Sequence, residues 1–223
     1  MHTKTFSIIF LFLFFVSCGG SGGGGNTPGA STQAGIETSS SSSPSNQDTG
    51  PVPTAADTFE VNARLFGFSV NQEEKVHQAS ELIKQVVASQ EFKNRVLNHK
   101  YKGKKTFVDN NGLTNAQIYS KILEAAEKVA GGGANNTMDL ELELYTDSTN
   151  VVGYTLPSVV RVWMNTKYFN GFKPYQVAGN MFHEWLHKIG FGHDYEATAS
   201  RPYSVPYAVG YIIRDMAKKY YNS

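Results

Sequence analysis

Three histidines, a glutamate and two glycines fall within eleven residues, His183-Glu184-Trp185-Leu186-His187-Lys188-Ile189-Gly190-Phe191-Gly192-His193. On a helix, residues four apart lie about 40° apart around the axis and about 6 Å along it. His183 and His187 can therefore turn their imidazoles toward one metal ion. Glu184 sits one step round from His183, where a carboxylate can reach a water at the metal without ligating the ion. That is the placement of a general base. Gly190 can take a positive φ, end the helix and swing His193 in from a third direction. Three neutral imidazoles leave a fourth tetrahedral position open, the pattern of a catalytic zinc site and not a closed structural one. Asp194 and Glu196 are the competing third ligands; the spacing and the ligand chemistry of imidazole favour His193. Asp194 then orients a histidine or faces solvent.

Those residues must be carried by a helix, and Pro174 marks its first turn, with Tyr175 to Ile189 continuing it. Upstream, Asn71 with Glu74 predicts a helix start, followed by Val76, Ala79, Ile83, Val86 and Val87 at helical spacing. A shorter helix is expected over Gln90–His99 and a basic loop over Lys100–Lys105. Thr114 with Gln117 opens a further helix whose face holds Ile118, Ile122, Leu123, Ala126 and Val129, with Gly131-Gly132-Gly133 as its stop. Met138, Leu140, Leu142 and Leu144 then alternate with Asp139, Glu141 and Glu143, a strand with one buried face. Val151–Leu156 and Val159–Asn165 predict two more strands, and Ser204 with Pro206 opens a last helix to about Tyr221. The fold class is α+β.

The pattern HExxHxxGxxH resembles the signature of the metzincin zinc metallopeptidases. The resemblance implies that His183, His187 and His193 ligate one Zn2+ and that Glu184 is the catalytic acid/base. It also implies a single catalytic domain with a small mixed sheet, an antiparallel edge strand, an active-site helix and a C-terminal helix. Metzincins lay an extended peptide along that edge strand, a role assigned to Val159, Val160, Arg161, Val162, Trp163, Met164 and Asn165. The family's methionine turn has no counterpart between Asp194 and Tyr207, and Met216 lies well inside the last helix. Tyr203 or Tyr207 could supply a hydroxyl to a developing oxyanion, or simply pack with its tip in water. The expected activity is zinc-dependent endopeptidase cleavage of a protein or peptide. The alternatives are a surface binding or adhesion module with structural zinc, which has no need of Glu184, and a cell-wall amide hydrolase.

The 223-residue chain has a formal net charge of +1, which argues against a nucleic-acid partner, and one cysteine, which excludes an internal disulfide framework. That cysteine, Cys18, follows the apolar run Phe6–Val16, too short to span a bilayer. The segment Phe15-Val16-Ser17-Cys18 resembles the lipobox of bacterial lipoproteins. The resemblance implies a signal peptide over 1–18, lipid attachment at Cys18 and, with glycine following, an outer-membrane lipoprotein of the cell envelope. Residues 19–57 are Gly-, Ser- and Pro-rich and predict a flexible tether; 58–223 form the globular, expectedly monomeric domain. His77 and His99 have no paired ligands, the triple glycine lacks a phosphate-loop lysine, and Asp139, Glu141 and Glu143 are expected to face solvent.

Overall fold

Residues 59–129, 133–156 and 158–223 are described by the computed structural model. The expected signal peptide, Cys18 and the tether lie outside them. Alternation builds the sheet: in β4 (Thr137–Tyr145), Met138, Leu140 and Leu142 are buried while Asp139, Glu141 and Glu143 point the other way. β4 pairs in parallel with β1 (Glu60–Phe66) on one side and with β6 (Arg161–Asn165) on the other. β5 (Gly153–Thr155) runs antiparallel to β6, and the order is β1-β4-β6-β5. The result is a mixed α+β fold with a small mixed sheet.

This order corrects the assignment of the edge strand. Of Val159–Asn165, only Arg161–Asn165 is strand, and it lies inside the sheet with both neighbours bonded. The antiparallel edge belongs to the shorter β5. Chain order misleads here because β5 and β6 form a hairpin whose second strand, not its first, pairs inward with β4.

The helices are α1 (Val70–Val87), α2 (Gln90–Leu97), α3 (Asn115–Glu124), the short α4 (Thr166–Phe169), α5 (Pro174–Lys188) and α6 (Val205–Tyr221). Every apolar position predicted for α1 is buried, but the helix starts two residues earlier than expected. Ser69 is its N-cap, with the Gln72 side chain accepting from the Ser69 N–H at 2.9 Å. In α3 the Thr114–Gln117 capping box forms as expected. The helix ends before the glycines, however, because Ala125 turns left-handed (φ 47°) and the amides of Asn135 and Asn136 fold back onto the Glu124 carbonyl. Ala126 and Val129 thus lie outside it. The Lys100–Lys105 segment is a small hairpin of β2 (Lys100–Tyr101) and β3 (Lys104–Lys105). Lys102 and Gly103 both take the positive φ that a two-residue hairpin turn needs.

The core is shared by α1, α5, α6 and the sheet. α5 and α6 cross at two glycines. A Cβ on Gly179 would lie 2.7 Å from the Arg214 Cβ, and one on Gly210 would lie 3.2 Å from the His183 Cβ. Gly179 above all, with Gly210 facing it, lets α6 ride so close to the face of α5 that bears His183.

Candidate metal centre

α5 presents His183 and His187 one turn apart, as the four-residue spacing requires. It ends in a Schellman turn: Phe191 N–H bonds the Leu186 carbonyl (3.0 Å), Gly190 N–H bonds the His187 carbonyl (3.1 Å), and Gly190 has φ 98°. The same turn orients the second histidine, since the Phe191 carbonyl accepts from His187 Nδ1 at 2.8 Å. It also reverses the chain so that His193 returns to the helix. One ligating atom from each of the three histidines lies within 4.8 Å of the others, so the group can hold a metal ion. Neither Asp194 nor Glu196 joins this cluster.

The details of the three imidazoles fit an ion. His193 Nε2 and His183 Nε2 are 3.3 Å apart, and two ligands about 2.0–2.1 Å from a tetrahedral zinc stand roughly 3.3 Å apart. His187 Nε2 is buried with no hydrogen-bond partner, an arrangement that a metal bond would satisfy. Each ring is held from behind by a backbone carbonyl: Pro206 for His183, Phe191 for His187 and Asp194 for His193. For His187 and His193 the carbonyl engages Nδ1, fixing the proton there and leaving Nε2 as the ligating atom. Burial, reinforced by neighbouring charges, keeps the imidazoles neutral. His187 is lowered to about 3, His193 to about 4, and His183 well below the usual histidine range.

Glu184 is fully buried, and both carboxyl oxygens lack a hydrogen-bond partner. Burial pushes its carboxyl up to about 8, while the charge of Lys188, one turn on, pulls it down. Lys188 is itself buried and donates its ammonium to the carbonyls of Leu156, Val159 and Arg161. It thereby fastens the β5–β6 connection to the helix that carries His183 and His187. Sequence reasoning passed over this residue, although its position four after Glu184 on the same helix was a usable signal.

The two tyrosines part company. The Tyr203 ring packs against Tyr101 (5.1 Å between centroids) and His99 (6.2 Å), on the exposed side of the turn Arg201–Tyr203. Tyr207, in the first turn of α6, is the ring that covers the imidazoles, with centroids 4.6 Å from His183 and 4.7 Å from His193. Its hydroxyl accepts from the buried Arg201, and burial raises its pKa. His99, directly after the C-cap of α2, is half-buried and stacked on Phe107. Beside His183, a cavity of about 30 Å³ is lined by Val152, Asn180, Tyr207, Tyr211 and Arg214, with both polar atoms of the Asn180 amide buried and unpartnered. Nothing in the spacing pointed to Asn180.

Compared with known proteins, the chain matches no family model, and no curated protein is significantly similar to it.

Proposed function

We propose that this protein is a zinc-dependent endopeptidase with a metzincin-like centre, in which His183, His187 and His193 hold the ion. The observation that carries this reading is that three convergent neutral imidazoles occur together with the unpartnered, buried carboxyl of Glu184, the residue after His183 on the same helix. A purely structural zinc site has no use for such a carboxyl, and burying it without a partner costs stability. When bound, zinc would acidify a water and polarise the scissile carbonyl.

Glu184 takes the proton of the attacking water on a carboxylate oxygen and returns it to the leaving amine, the two halves of one general acid–base cycle. Lys188 favours the charged form of Glu184 that this step requires. Tyr207, its hydroxyl oriented by Arg201, is the candidate donor to the developing oxyanion; Tyr203 lies against other partners. A peptide would enter along β5, the antiparallel edge strand, in place of the interior strand first assigned to it. The lipid anchor at Cys18 and an outer-membrane location belong to the same proposal and rest on the sequence pattern alone.

The test is direct. The purified protein is expected to hold one zinc and cleave a denatured protein or a peptide library, and Glu184→Gln is expected to keep the zinc while losing at least about a hundredfold in kcat, the usual contribution of a general base. Full cleavage by Glu184→Gln refutes the mechanism. Zinc uptake without cleavage of any peptide supports the binding-module alternative.

A further inference from the structure

The histidine that completes the cluster arrives on a turn, not on the helix, so something must hold that turn. The residues that do so come from the other half of the sequence. Asn111 Nδ2 donates to the Gly190 carbonyl at 2.9 Å, at the pivot where α5 ends. The Asp109 side chain lies close to the backbone of Asp194, whose carbonyl accepts from His193 Nδ1 at 2.9 Å. Val108 N–H donates to the Tyr203 carbonyl at 2.8 Å, just ahead of the Ser204 N-cap from which α6 carries Tyr207 over the imidazoles. One short loop thus grips the turn on both sides of His193 and the strap that leads to Tyr207.

The backbone of the loop is shaped for this grip. Asp109 (φ 51°) and Asn111 (φ 55°) both sit in the left-handed region, which Asp and Asn adopt more readily than other side-chain-bearing residues, and Gly112 (φ 76°) follows. Asn110 braces it from within, accepting from Gly112 N–H at 3.0 Å and donating to Thr106 Oγ1 at 3.0 Å. A mere connection between β3 and α3 has no need of two left-handed residues whose side chains both face the same distant turn.

We propose that the Val108–Gly112 loop is a positioning clamp for the third metal ligand: Asp109 and Asn111 fix the Gly190–Asp194 turn so that His193 meets the imidazoles of α5. The proposal rests on the metal reading above. Its role is indirect, since neither residue belongs to the metal-binding group. Outer partners of metal ligands typically contribute 10–100-fold in metal affinity.

The experiment measures zinc affinity of the purified protein by competition with a chromogenic chelator. It is paired with the visible spectrum of the cobalt-loaded protein and the melting temperature of the metal-free protein. Asn111→Asp is nearly isosteric and tolerates a positive φ but cannot donate; Asn111→Gly and Asp109→Gly remove the side chain while still allowing the positive φ. Each is expected to bind zinc 10–100-fold more weakly and to change the cobalt spectrum, with metal-free melting close to wild type. Zinc affinity within twofold of wild type in Asn111→Asp and Asp109→Gly overturns the clamp, and so does a loss of affinity matched by an equal loss of metal-free stability in both Asn111 variants. If Asp109→Gly does not fold, the Asn111 variants decide alone. Wild-type protein that takes up no zinc refutes the metal reading itself, a separate failure from wild-type affinity in the variants.

Discussion

Replacing Gly179 with alanine sets two effects of known size against each other. In a helix interior the exchange favours folding by about 1 kcal/mol, because glycine loses more backbone freedom than alanine does. Against this, the new methyl carbon would lie 2.7 Å from the Arg214 Cβ and 3.1 Å from the Gly210 carbonyl oxygen. Carbon atoms rest about 3.5–4.0 Å apart, so α5 and α6 must separate by the better part of an ångström, and overpacking of this kind costs about 1–3 kcal/mol. Both neighbours are held on the body of α6, so the cost should fall in the upper part of that range. Gly179→Ala is therefore expected to destabilise the protein by about 1–2 kcal/mol net. At Gly210 the contacts are 3.2 Å, and a few tenths of an ångström of give brings the two effects close to balance. Urea unfolding of the metal-free proteins compares the two directly. If Gly179→Ala is more stable than wild type by the full helix-propensity gain, the close crossing of α5 and α6, and with it the seating of Tyr207 over His183, is wrong.

Two further outcomes follow from buried charges. Lys188→Met keeps the stem but removes three charge-assisted hydrogen bonds to the β5–β6 connection. It should cost about 1–3 kcal/mol and raise hydrogen exchange over residues 151–165; unchanged exchange there would show that the lysine holds nothing. Glu127 is buried, accepts the Trp185 indole N–H at 2.5 Å, and has its pKa raised by that burial. A carboxyl with a raised folded-state pKa contributes stability below its unfolded value of 4.5 and loses it as pH climbs through the folded value. Glu127→Gln, which can still accept from Trp185, should thus gain on wild type as pH rises from 4 to 8, and a pH-independent difference in unfolding free energy counts against the buried, proton-retaining carboxyl.

The local devices were readable because their physics is local. The four-residue spacing of His183 and His187, Gly190 as the helix stop, Pro174 at a first turn, the Thr114–Gln117 box and the alternation of β4 each depend on a handful of adjacent residues. What escaped depends on partners far along the chain. β1 alternates as plainly as β4 does, with Val61, Ala63 and Leu65 against Glu60, Asn62 and Arg64, yet its strand nature is settled by pairing with residues 137–143. The edge position of β5 is a property of sheet order, which no periodicity encodes. α3 stopped short of its glycines because Asn135 and Asn136 return to cap it. At the centre, the histidines and Glu184 were legible, whereas Asp109, Asn111, Lys188 and Asn180 acquire meaning only from what they face.

The division of the cluster between a helix and a turn also sets an order in time. His183 and His187 ride on one rigid element, while His193 is joined to it through a single pivot at Gly190. Opening a turn is a smaller event than unwinding a packed helix and therefore happens more often. An ion held by all three would be released by way of His193, leaving only His183 and His187 to hold it, and taken up in the reverse order. Its residence time would then be set by how often the turn opens, a rate that the helix pair alone does not determine.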